Sequence, residues 1–128
     1  MPRQSRRLTL LLRVLWFFLF GVTLFGSLSM SVGPPALFSH ADKVFHFGAW
    51  GALSGLAFLA FAGRYNRLAI PSALLVISAA IEVLQTFIPG RSGSHEDLAA
   101  NAAGIALGSL VGLVLRRPLL AWLDRDQA

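Results

Sequence analysis

A glutamate, Glu82, stands inside the apolar stretch Leu68–Ile88. An ionisable group inside an apolar span is expensive to desolvate, so it must face protein or water and marks a candidate functional site. Gln85 follows three residues on and shares its helical face. Two further groups have the same character. Asp42 and His46 are four residues apart and lie beside Lys43, and Asp97 and Asn101 are also four apart. Each pair therefore presents one helical face. Arg91 lies between the second and third groups.

These residue types fit several chemistries. Glu82 and His46 are candidates for an acid–base pair. Asp42, Lys43, His46, Glu82, Gln85, Arg91, Asp97 and Asn101 together form a candidate ligand site, with Lys43 and Arg91 at its rim. Cations and helix N-termini attract phosphate or carboxylate, the amides donate and accept, and the carboxylates take hydroxyl or amine groups. His46, Glu82 and Asp97 are metal-ligating types, but nothing in their spacing demands an ion, so neither metal nor cofactor is expected. His95-Glu96-Asp97-Leu98-Ala99 begins like a zinc-protease helix, yet Ala99 replaces the second histidine. Cysteine is absent, no base aligns with Ser54, and no G-x-S-x-G or phosphate-binding loop occurs. Whether the chain is an enzyme stays open at this point.

Each residue also has a plainer reading. Ser39-x-x-Asp42 and Ser94-x-x-Asp97 match a capping box, in which serine and acid satisfy the start of a helix. His46 is explained as a hydrogen-bonded structural histidine and Asn101 as interhelical glue. Glu82 is explained as the partner of Lys43 or Arg91. The convergence remains to be accounted for. At about 1.5 Å per residue, His46 and Asn101 lie about 5–6 Å below their helix starts, and Glu82 about 9 Å below Ile88. That places one site, built from three helices, in one half of a bilayer.

The elements that must position these residues are four apolar stretches, Val14–Val32, Val44–Ala62, Leu68–Ile88 and Leu98–Leu115. Each has about the 17–25 residues that cross a hydrocarbon core as a helix. The chain has 128 residues, 13% of them charged, and a mean hydropathy of +0.67, whereas soluble domains carry about 25% charged residues. The expected fold is all-α: an integral bundle of four transmembrane helices over 14–117, with a basic flank 1–13 and an interfacial tail 118–128 carrying Trp122. Pro34-Pro35, Pro89-Gly90 and Pro118 are expected to end helices, and Pro71 to sit in a first turn.

The net charge of +5 is topological and does not indicate nucleic-acid binding. Arg3, Arg6, Arg7, Arg13, Arg64, Arg67, Arg116, Arg117 and Arg125 fall on one side if the spans alternate. Only Lys43 and Arg91 fall on the other. The positive-inside rule then makes both termini cytoplasmic and turns the polar cluster outward, in a multi-pass membrane protein. Ser5-Arg6-Arg7 precedes an apolar run too long for a signal-peptide core, with no A-x-A-like site after it, so the first span is expected to be retained. Gly51 and Gly55, and Gly104, Gly108 and Gly112, recur every four residues as helix-packing ridges. A homo-oligomer is compatible with this pattern.

Three blocks carry a family resemblance. They are Asp42-Lys43-x-x-His46-Phe47, Glu82-x-x-Gln85-x-Phe87-x-Pro89-x-Arg91 and Asp97-Leu98-x-x-Asn101-x-x-Gly104-x-x-x-Gly108. In order, spacing and position they resemble the VanZ-like family, small bacterial membrane proteins named for an accessory role in teicoplanin resistance. Ser92-Gly93-Ser94-His95-Glu96 stands where that family often has an aromatic residue and an aspartate. The resemblance implies a cell-envelope function without supplying a reaction. The expected partner is a membrane lipid or lipid-linked ligand: a cell-wall lipid precursor, a phospholipid headgroup or a lipoglycopeptide antibiotic. The alternatives are a membrane enzyme acting on such a lipid, and a structural protein whose polar cluster only holds its helices.

Overall fold

The computed structural model describes residues 3–29, 40–61, 63 and 65–125. Among them all regular structure is helical: α1 (Arg3–Leu28), α2 (Ala41–Ala60), α3 (Asn66–Gln85) and α4 (His95–Arg125). Arg6–Leu28, Asn66–Gln85 and His95–Leu119 are long and apolar enough to cross a membrane. Helix α2 has 20 residues, as α3 does, and carries Asp42, Lys43 and His46 in its first two turns; it is not among these three. Large apolar side chains are exposed on all four helices, among them Phe18, Phe25, Val44, Val76, Val83, Leu110 and Val114. Soluble monomers rarely expose so much contiguous apolar surface.

Helix α2 is the centre of the molecule. It meets all three other helices, whereas α1 and α4 scarcely touch. Its contact with α4 is the most extensive. There the backbones themselves meet: a methyl group at Gly104 would overlap the carbonyl oxygen of Phe47, and one at Gly108 that of Gly51. Gly112 packs likewise on Gly55. Both sets of numbers rise together, so α2 and α4 run parallel. Helix α1 runs antiparallel to α2, because Trp16 Nε1 donates to Leu53 O (2.8 Å) and Arg13 Nε to Ala60 O (3.1 Å). The core between them holds Trp16, Trp50, Leu53, Ala57, Leu74, Ile81 and Ile105.

Several expected boundaries move. Helix α1 begins at Arg3, not Val14, since the basic flank after Pro2 contains good helix formers and no breaker. Pro71 is not in a first turn. With α3 starting at Asn66, it lies in the second turn and removes the bond its N–H would give to the Arg67 carbonyl. Nor does Pro118 end α4, which continues to Arg125 with that one bond missing. The expected tail is thus helical as far as Arg125. Pro34-Pro35, Ser39, Arg64 and the Trp122 side chain lie outside the described residues.

The glycine contact sets a clear expectation. Gly108→Ala should cost about 1–3 kcal/mol by overpacking. Gly48→Ala, where an added Cβ meets nothing within 4 Å, should be neutral or stabilising by up to about 1 kcal/mol. Unfolding of the two variants in detergent measures the difference, and equal stability would contradict the close backbone approach.

Candidate functional site

The turn between α3 and α4 assembles the site. Ile88-Pro89-Gly90-Arg91 closes with Arg91 N–H donating to Ile88 O (3.0 Å), and Gly90 has φ of 80°. Proline second, glycine third and a positive φ there define a type II turn. The chain then folds back on α3. Gly93 lies so close to the Glu82 carbonyl that a Cβ would overlap it. This approach lets Ser94 N–H donate to Glu82 Oε2 (3.2 Å). Ser94 also starts α4, its Oγ accepting from Asp97 N–H at 3.0 Å. Half of a capping box is therefore present. The other half is missing, because the Ser94 N–H that the third-position acid would take is held by Glu82.

Glu82, 6% exposed, is the hub. Its Oε1 accepts from Asn101 Nδ2 (3.2 Å) and lies 3.7 Å from His46 Nδ1. His46 Nδ1 is also 3.0 Å from Asn101 Oδ1, and Asn101 is fully buried. One residue from each of α2, α3 and α4 thus closes a triangle. Asp97 completes the group. Donor atoms of His46, Glu82 and Asp97 all lie within 4.8 Å of one another. Asp97 Oδ1 is buried and accepts no hydrogen bond among the described residues. Its charged neighbour is Lys43 Nζ at 3.5 Å.

Lys43 is shared among three carboxylates, with Glu96 Oε2 at 3.0 Å and Asp42 Oδ2 at 3.3 Å. The hydrogen bond with Glu96, aided by Asp42 and Asp97, holds its ammonium charged far above the ordinary lysine range. Burial pushes the Asp42 carboxyl up. The backbone N–H, side chain and charge of Lys43 outweigh it and hold the group below the ordinary aspartate range. Helix α2 itself starts without a side-chain cap from His40, which takes the left-handed conformation at φ 65°.

Two of the expected ligand residues are engaged elsewhere. Gln85 Nε2 donates to Ser27 O (2.8 Å), and Arg91 donates to Gly26 O and Ser29 O. The last carbonyls of a helix have no intrahelical partner, and here side chains supply one. Gln85 and Arg91 thus tie the end of α1 to the site. Lys43 faces Asp42, Glu96 and Asp97, while Glu82 takes Asn101 and Ser94. Ser54 is fully buried and bonded to Ser109 Oγ at 2.7 Å, a link between α2 and α4. Ser94 and Gly93 matter more to Glu82 than the spacing showed. Their only sequence signal was the capping pattern, which accounts for Ser94 alone.

A family model described as VanZ/LLP1 matches residues 2–116. No curated protein and no solved structure matches the chain. The family model spans most of the chain, and the chain belongs to the VanZ/LLP1 family; with its apolar helices, it is a membrane protein of that type.

The Glu82–Asn101 contact predicts energetic coupling. In a double-mutant cycle of Glu82→Gln, Asn101→Ala and the pair, unfolding should show an interaction energy of about 0.5–3 kcal/mol. Strictly additive effects would mean that the two side chains do not act together.

Proposed function

We propose that this VanZ/LLP1 protein recognises an amphiphilic ligand in the outer leaflet of a bacterial plasma membrane. In this reading all four helices span the bilayer and both termini are cytoplasmic. The charge distribution supports it. Arg6, Arg7 and Arg13 at the start of α1, Arg67 at the start of α3, and Arg116 and Arg117 near the end of α4 lie at one end of the bundle. The polar cluster lies at the other. The positive-inside rule turns the arginine end inward and the cluster outward.

The observation that carries the reading is the adjacency of this cluster to an apolar groove. The groove has a volume of about 340 Å³ and runs between α2 and α4 from Phe47 and Gly104 to Leu56 and Val111. Its Phe47–Gly104 end is within one turn of His46 and Asn101 along the two helices, although no residue of the cluster lines it. An amphiphile lying along this groove would have its polar head at the level of the cluster. Lys43 favours a phosphate or carboxylate on the head, and Asp97 and Glu82 favour hydroxyl or amine donors. A lipid-linked cell-wall precursor, a phospholipid and a lipoglycopeptide such as teicoplanin all fit that description. Gln85 and Arg91 hold α1 in place and shape the rim.

A second reading rests on the 3.7 Å approach of His46 Nδ1 to Glu82 Oε1. It is a membrane enzyme that uses the pair as acid and base on the bound headgroup. Purified protein should then convert its lipid, and Glu82→Gln should abolish turnover while leaving the lipid bound.

Native mass spectrometry of the detergent-purified protein, wild type beside Glu82→Gln, tests recognition. The expected outcome is a defined lipid adduct on the wild type that a folded mutant lacks. If neither carries a lipid and the mutant is merely less stable, the cluster serves only to hold the helices.

A further inference from the structure

We propose that His46, Glu82 and Asp97 form a binding site for a divalent transition-metal ion. The site coincides with the headgroup end of the proposed ligand site, but the inference does not depend on which ligand binds there.

Asp97 is the starting point. Its residue is 8% exposed, and among the described residues its Oδ1 accepts no hydrogen bond and has only the Lys43 ammonium, at 3.5 Å, as a charged neighbour. Two ordinary roles for it are already taken. Ser94 Oγ caps α4, and the Ser94 N–H that a capping-box acid would take is bonded to Glu82. Lys43 is nearer to Glu96 and Asp42 than to Asp97. The carboxylate therefore stands buried next to a second buried carboxylate and an imidazole, with donor atoms of all three within 4.8 Å.

The charges at this end are unbalanced. Asp42, Glu82, Glu96 and Asp97 stand against Lys43 and Arg91. Glu96 and Asp42 stand largely in water, but Glu82 and Asp97 are buried side by side, and a divalent ion between them supplies the charge they lack. One imidazole nitrogen with two carboxylates selects a first-row ion such as Zn²⁺ or Mn²⁺ over the oxygen-preferring Mg²⁺ and Ca²⁺. Three protein ligands leave at least one position open, where a phosphate or carboxylate oxygen of the headgroup can bind.

The surroundings are those of a supported ligand set. Asn101 Nδ2 and Ser94 N–H each fix one oxygen of Glu82, as outer partners of metal-bound carboxylates do. Ligands about 2.0–2.2 Å from an ion lie at most about 4.4 Å apart. His46 Nδ1 and Glu82 Oε1, at 3.7 Å, meet this limit, and an ion there replaces the bond from Nδ1 to Asn101 Oδ1. The set as a whole lies within 4.8 Å and draws in slightly around an ion. The three residues come from three helices, so no local spacing motif announces them.

The experiment is a titration of the EDTA-stripped, detergent-purified full chain with Zn²⁺ and, separately, Mn²⁺, followed by calorimetry with no lipid added. One ion per chain is expected. Asp97→Asn and His46→Gln should each weaken it at least tenfold, while His95→Ala, at an exposed position, should leave it unchanged. The ion should also raise the melting temperature of the wild type and not that of Asp97→Asn. Failure of the wild type to bind either ion stoichiometrically overturns the proposal, as does binding that survives Asp97→Asn and His46→Gln. Loss of binding in His95→Ala overturns it too, and that variant decides the matter if the buried ones do not fold. The lipid adduct is read in a separate experiment, so recognition and metal binding fail independently.

Discussion

The close passage of α2 along α4 sets the rest of the structure. Glycines at 104, 108 and 112 receive the carbonyl oxygens of Phe47, Gly51 and Gly55 with no side chain between. In a bilayer the hydrophobic effect does not hold helices together, so packing and polar contacts must. A contact this close admits one register. That register places His46 beside Asn101 and Ser54 beside Ser109. One backbone match thus generates two polar links, one in the apolar interior and one at the site. It also makes the helices parallel, and α3 has to return between them.

Helix α3 brings the charge. Glu82 lies one turn before the end of its helix, where the type II turn sends the chain back over it. Gly93 permits the return at contact distance, and the Ser94 N–H then meets the carboxylate. Arg91 and Gln85 reach the other way and close the end of α1. The α3–α4 turn therefore does two jobs within a few residues: it orients the buried acid and fixes the first helix against it. Only the N-terminal half of α4 takes part. Its C-terminal half carries the arginines of the opposite end.

Periodicity was enough to single out Glu82, His46 and Asn101, which the fold brings together. Glu82 stood out in an apolar run, and His46 and Asn101 followed from four-residue spacing, because a helix face is a local property. Their partners were not legible. The choice of Lys43 for Glu96 and Asp42, and of Arg91 for the α1 carbonyls, depends on how three helix ends meet. Helix-end carbonyls carry no side-chain signature, so their claim on Gln85 and Arg91 is silent in the sequence. Helix ends were misjudged at two prolines, Pro118 read as a stop and Pro71 as a first-turn residue. Pro71 and Pro118 each remove one hydrogen bond, and a single lost bond does not outweigh the turns on either side. The glycine ridges were legible as packing surfaces, but not as one another's partners.

A charge at position 97 is difficult to explain by folding alone. The positive start of α4 favours a carboxylate there by about 0.3–1 kcal/mol, rising to about 2 kcal/mol in partly buried settings. Removing an ion from water costs several kcal/mol unless it is well paired. Lys43, at 3.5 Å and divided among three acids, is a weak repayment. Ser94 already provides the cap, so a neutral polar side chain at 97 would start the helix equally well. The same holds less strongly for Glu82, whose oxygens both have donors. The acid that folding least requires thus lies beside the acid that folding holds most firmly, with an imidazole within reach of both. A cluster built only to join helices would have its least satisfied group at its edge, in water. Here that group is buried and faces the other two.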